Sequence, residues 1–258
     1  MNKTKLTLAL LAPAAVLGVP LAAAAPAFAQ TATTYQATLN PLNHATGSGQ
    51  LMLQLSGNQA TITENVQGLA ATFGGAAYPH VQHIHINAQG VCPGPSADKN
   101  GDGVISTTEG APFYGAIGTT LSTSGDTSPA AGTDIKVAPS GASFHYTRTI
   151  TLDSATLSSI KAGKAVIVVH GLDPATLSST AQKEKSDLVP SLPLAATSPA
   201  LCGPLLTSQM SQMPSGAAGT GGGGSSGVQD PWLLGAGAAT LLAAGGALAL
   251  RRRPVGQK

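Results

Sequence analysis

From Thr33 to His170, apolar and polar residues alternate in short runs, and the alternation predicts strands. In Thr33–Leu39 the side chains of Tyr35, Ala37 and Leu39 fall on one face, and in Gly49–Leu55 those of Leu51, Leu53 and Leu55 do the same. The turn Ser56-Gly57-Asn58 leads into a third run, Gln59–Val66. Further strands are expected over Val81–Ile86, Ala116–Thr123, Ser143–Leu152 and Ala165–His170. Helical spacing is confined to a turn at Thr156–Ile160 and a short helix at Thr180–Leu188. Short strands punctuated by Gly, Asn and Pro predict an all-β fold, a β-sandwich or small Greek-key barrel built from antiparallel pairs.

The two ends follow other patterns. Lys3 and Lys5 precede an apolar run from Leu6 to Val16, and Ala27-Phe28-Ala29 supplies a small-x-small cleavage site, so residues 1–29 read as a signal peptide. Pro13, Pro20 and Pro26 argue against a retained membrane helix there. At the other end, Trp232–Leu250 carries no charge and would span roughly 29 Å as a helix, close to the thickness of a bilayer's hydrocarbon core. Arg251-Arg252-Arg253 follow at once, which predicts a transmembrane helix with residues 251–258 as a cytoplasmic basic tail and the domain outside. Residues 209–231, with Gly221–Gly224, read as a flexible tether, and no LPxTG sequence for sortase attachment precedes the helix. One domain remains, residues 30–208. Its last part, from about Leu188, is Pro-rich and is expected to run extended along the domain, pinned by Cys202.

Composition narrows the function classes. Charged residues are 9% of the chain and the net charge is +2, too little for a nucleic-acid partner. Four Phe, four Tyr and one Trp leave no aromatic platform for carbohydrate. No Gly-x-Ser-x-Gly or comparable setting marks a nucleophile, so no catalytic residue and no organic cofactor site is assigned. Two cysteines, Cys92 and Cys202, in an exported chain predict one disulfide, with two free thiols as the alternative. Closing so long a loop would contribute roughly 4–5 kcal/mol in the chain-entropy description.

The candidate chemistry lies mostly between His80 and Glu109. His83 and His85 are two apart on a strand and so share a face, where two imidazoles can grip copper, zinc or nickel. A pair of histidines hydrogen-bonded at a sheet end is the alternative. His80 stands at the strand entrance as a third ligand or a polar cap; His145 and His170 lie on other strands. Downstream, Asp98, Asn100, Asp102, the Val104 carbonyl, Ser106 and Glu109 match the ligand spacing of a twelve-residue calcium loop, with Gly103 at the sharp turn. Cys92-Pro93-Gly94-Pro95 precludes an entering helix, and Gly110-Ala111-Pro112 is expected to stop a leaving helix before it completes a turn. The loop is therefore expected to act as a structural calcium clip.

Several short pieces resemble copper/zinc superoxide dismutase: Gly68-Leu69, His83-Ile84-His85, Gly90-Val91-Cys92, Val168-Val169-His170 and Leu201-Cys202-Gly203. That resemblance implies copper on His83, His85 and His170 and a Cys92–Cys202 disulfide. The chain departs from the family in two places. No histidine lies between His85 and His145 to bridge to zinc, and Ser198-Pro199-Ala200 stands where the family's arginine would precede the second cysteine. Over residues 33–206 the chain more closely resembles the chordin-like (CHRD) domain of exported bacterial proteins. The residues that carry this are Gly47–Leu55, the HIH strand, Gly125–Ala130, Val168–Asp173 and Pro199–Leu205. The resemblance implies an antiparallel Greek-key β-sandwich, immunoglobulin-like or dismutase-like, with no established activity. The expected function is therefore a calcium-stabilised, membrane-anchored surface domain binding an extracellular ligand or envelope component. The alternative is a copper-binding, dismutase-like protein, either an enzyme or a metal-capturing one.

Overall fold

The computed structural model describes residues 32–208. The signal peptide, tether, transmembrane helix and basic tail expected from the sequence lie outside the described residues. Among the described residues no helix is long and apolar enough to cross a membrane.

The domain is all-β. The strands of its main sheet are β1 (Thr33–Pro41), β2 (Ser48–Ser56), β3 (Gln59–Gln67), β4 (Gln82–Ile86), β5 (Ala116–Thr120), β6 (Ser143–Thr151), β7 (Val166–His170), β8 (Pro199–Pro204) and β9 (Leu206–Thr207). Every pairing among them is antiparallel, in the order β5-β4-β7-β8-β1-β2-β3-β6, with β9 added to β1. β1 makes the sheet curl. Its first seven residues pair with β2, whereas Asn40 and Pro41 pair with Cys202 and Leu201 of β8, so one strand serves both halves. Arg148 on the edge strand β6 reaches the segment leaving the other edge strand, β5. Its guanidinium donates to the Ser122 carbonyl and hydroxyl at 2.7 and 2.6 Å and to the Gly125 carbonyl. It is a side-chain tie between two edges that share no backbone ladder.

Inside the curl, alternation does what the sequence predicts. β2 and β3 bury every second residue, and Leu39, Leu51, Leu53, Ile62, Ile84, Ile167 and Leu201 are all buried in one core. Each contributes roughly 1.5–3 kcal/mol by leaving water. A smaller core of Tyr114, Val166, Val168 and Cys202 lies on the other side of β7 and β8, with Leu42 and Cys92 packed against it. The disulfide Cys92–Cys202 is formed there, with 5.9 Å between Cα atoms.

Several expectations are corrected. The Pro-rich stretch after Leu188 is pinned by Cys202 as expected but does not stay outside the sheet: Pro199–Pro204 is β8, an inner strand between β7 and β1. Its prolines stand at the two ends, so Ala200 to Gly203 keep the amides that a central strand must donate. Nor does Gly110-Ala111-Pro112 abort a helix. Helix α1 runs Thr107–Tyr114 with Pro112 inside it, started by a capping box in which Ser106 and Glu109 satisfy each other's backbone amides. So late in so short a helix, Pro112 removes one intrahelical donor without ending the helix. The turn expected at Thr156–Ile160 is a second helix, α2 (Ser154–Lys161), capped by Asp153; Thr180–Leu188 forms only a 3₁₀ turn at Ala181–Lys183.

One inward position is polar. Glu64 on β3 faces the core opposite Tyr146 of β6, and its carboxyl oxygens, the Tyr146 hydroxyl and the Gln82 amide oxygen are buried without hydrogen-bond partners. Burial pushes the Glu64 carboxyl up to about 8; the Gln82 amide beside it offsets part of this without meeting the geometry of a hydrogen bond. Because the folded value lies above the unfolded one, this contribution to stability is present in full below about 4.5 and is lost as pH rises through about 8. Glu64→Gln is therefore expected to leave the melting temperature almost unchanged at pH 5 and to raise it by roughly 10 °C at pH 9. Thermal melts of both proteins across that range check this; parallel curves would contradict it.

Candidate metal centre

The strand β4 is buried on both faces. Ile84 and Ile86 enter the main core, and the period of two sends His83 and His85 to the opposite face, under α1 and the segment from Pro129 to Thr133. β7 pairs antiparallel with β4, His83 opposite Val168, and the His170 amide donates to the Val81 carbonyl at 2.9 Å. That register sets His170 beside His83 on the same face. The ring centroids are 5.2 Å apart for His83 and His170, 5.4 Å for His83 and His85, and 6.0 Å for His85 and His170.

Each ring uses one nitrogen on a backbone carbonyl. His83 Nε2 meets the Gly132 carbonyl at 2.9 Å, His85 Nδ1 that of Gly115 at 2.8 Å, and His170 Nδ1 that of Thr197 at 2.6 Å. A carbonyl only accepts, so each of these nitrogens carries the proton and the other nitrogen keeps its lone pair. Those other atoms, His83 Nδ1, His85 Nε2 and His170 Nε2, are buried without a hydrogen-bond partner. One nitrogen from each ring lies within 4.8 Å of the other two. Three buried, unpartnered lone pairs with their tautomers fixed from behind could hold a metal ion. Around an ion held at about 2.0–2.1 Å the nitrogens would stand roughly 3.3–3.6 Å apart, so binding would draw the rings together slightly.

Burial also keeps the rings neutral, as metal ligation requires. It holds His83 well below the ordinary imidazole range, with the neighbouring His170 and His85 adding to the effect, and brings His85 to about 3 and His170 to about 4. Tyr114 at the end of α1 stacks edge-on against His85, centroids 4.7 Å apart, and its hydroxyl donates to the Thr107 carbonyl at 3.0 Å. Gly115 is held at φ +96, and a Cβ there would stand 1.9 Å from the Ile86 carbonyl oxygen, so only glycine brings this carbonyl onto His85.

The other histidines lie elsewhere. His80 is a polar cap and not a third ligand: its ring faces the carbonyls of His170 at 2.9 Å and Ala70 at 3.0 Å. His145, exposed on β6, meets Asn65 at 2.8 Å, far from the cluster's face of the sheet. His44 is exposed.

The acidic loop is well ordered by its own amides. Asp98 accepts from the amides of Gly101 and Gly103, Asp102 from that of Val104, and Glu109 from those of Lys99, Asn100 and Ser106. Asn100 donates to Asp102 at 2.7 Å, and the Val104 side chain joins the core. The Ser106 hydroxyl caps α1 and donates to Asp187 at 2.7 Å. Asp102 beside it, together with the charges of Glu109 and Asp98, holds the Glu184 carboxyl above the ordinary range. Nothing in local spacing could have found Glu184, Gly115, Gly132 or Thr197; all come from distant segments.

In the metal-free protein the three depressed imidazoles mean that the unfolded chain binds more protons than the folded one below pH 6.5. Their contribution to stability is complete above about 6.5 and is lost as pH falls toward 4. The melting temperature is expected to drop by roughly 10 °C from pH 7 to pH 4, and less steeply in His83→Ala/His85→Ala, as thermal melts of metal-free protein would measure.

Comparison with known proteins brings no further assignment: no protein-family model matches the chain, and no curated protein matches it.

Proposed function

We propose that this chain is an exported, membrane-anchored protein that captures a copper or zinc ion on His83, His85 and His170. The observation that carries the reading is the trio of buried imidazole lone pairs, each fixed by a carbonyl behind it. When bound, the ion would supply a Lewis-acid or, for copper, a redox-active position facing the pocket beside the rings. The non-sequential strand order supports a Greek-key sandwich of the dismutase-like or CHRD-like kind. A formed disulfide suits an oxidising compartment outside the cell, with an extracellular ligand or envelope component as partner.

Capture fits better than dismutation. His145 is on another face, so no second metal is bridged, and no Lys or Arg lines the pocket to draw in an anionic substrate. Calcium on Asp98, Asn100, Asp102, the Val104 carbonyl, Ser106 and Glu109 is proposed alongside, as a structural ion. The crowding of Glu184 against Asp102 supports it, because a cation there would relieve repulsion among these carboxylates. With α1 leaving the loop and only a 3₁₀ turn at Pro95–Ala97 before it, the loop has one helix of the usual pair.

Metal analysis of the purified chain after loading and desalting tests both ions. About one equivalent of copper or zinc is expected, lost in His83→Ala/His85→Ala. About one equivalent of calcium is expected too, lost in Asp98→Asn while the transition metal stays. Wild-type protein that retains no transition metal would refute the first reading, and calcium uptake unchanged in Asp98→Asn the second.

A further inference from the structure

His83, His85 and His170, each with one unpartnered nitrogen, line a cavity of about 440 Å³, within the range of small-molecule sites, ~300–1,000 Å³. Its walls come from several segments. α1 contributes Ala111 and Tyr114, β5 contributes Ile117, and Pro129, Val81 and the half-exposed Leu188 complete it. Among the described residues, the only polar side chains besides the histidines and Tyr114 are threonines, and no Asp, Glu, Lys or Arg lines the cavity.

This lining decides what fits. A cationic molecule entering would leave water without finding a counter-charge, since no acidic side chain among the described residues lines the cavity and the bound ion is itself positive. A neutral molecule with an apolar body would instead gain by burying that body against the aliphatic walls. The histidines supply three ligand atoms, and an ion with four-coordinate preference keeps one position open. Resting on the metal reading above, we infer that the pocket is a binding site for a small, largely apolar or aromatic molecule, not a cation, that presents one nitrogen, oxygen or sulfur donor to the metal. The site thus recognises its ligand through metal and apolar wall together.

Full-length protein loaded with cobalt(II) at pH 8, its visible bands reporting the coordination sphere, tests this with three probes: imidazole, 4-phenylimidazole and azide. 4-Phenylimidazole is expected to bind at least about tenfold tighter than imidazole, because its ring buries against the walls, while azide, drawn by the ion's charge, reports the open fourth position. Ala111→Phe, which fills the cavity, should cancel that preference. Leu188→Asp, at an exposed position that does not endanger folding, should weaken 4-phenylimidazole more than imidazole. Equal affinity for the two imidazoles would overturn the ligand assignment and leave the metal centre standing. Failure to retain cobalt would overturn the metal reading and this inference with it.

Discussion

The structure depends on a division of labour within each imidazole. One nitrogen is spent on a backbone carbonyl, and the other is left buried with a lone pair that finds no hydrogen-bond partner. A buried polar atom without a partner costs about 1–3 kcal/mol, and three of them side by side are not a configuration that packing alone would favour. The cost is offset if a cation occupies the common point. The three carbonyls behind the rings come from three separate turns, at Gly115, Gly132 and Thr197, so the lone-pair geometry is set by tertiary structure and not by one loop.

Those supports tie the centre to the rest of the domain. The acidic loop ends in the capping box that starts α1, and α1 ends at Gly115, whose carbonyl orients His85. The Thr197 carbonyl that orients His170 also accepts from the Thr107 hydroxyl at the other end of α1. Asn43 holds the loop from the far side, donating to the carbonyls of Ile105 and Pro199, and the disulfide fastens the preceding segment to β8. An ion that stiffened the loop would therefore stiffen the frame around the histidines. The two halves of the stretch from His80 to Glu109 are one mechanical unit, even though they present different donor chemistry.

Much of the β framework is readable in the sequence because alternation is a strong signal where one face is buried, as in Leu51, Leu53 and Leu55. The same alternation puts Glu64 on the inward face with Ala60, Ile62 and Val66, but the absence of a partner there depends on strands far away in the chain. β8 is hidden by its terminal prolines, which mimic a loop, and α1 by Gly110 and Pro112, which mimic a stop. At α1 the Ser106–Glu109 box outweighs the breakers. For the centre, His-x-His spacing predicts that two rings share a face. That His170 joins them, while His80 and His145 do not, follows from the β4–β7 register and from a strand order that spacing does not encode.

The most direct test is a crystal structure of the metal-loaded protein with anomalous scattering recorded at the copper or zinc edge. The account predicts one strong peak about 2.0–2.1 Å from Nδ1 of His83 and Nε2 of His85 and His170, with the carbonyl contacts of the opposite nitrogens retained. A peak elsewhere, or ligation through the nitrogens now held by Gly132, Gly115 and Thr197, would contradict it.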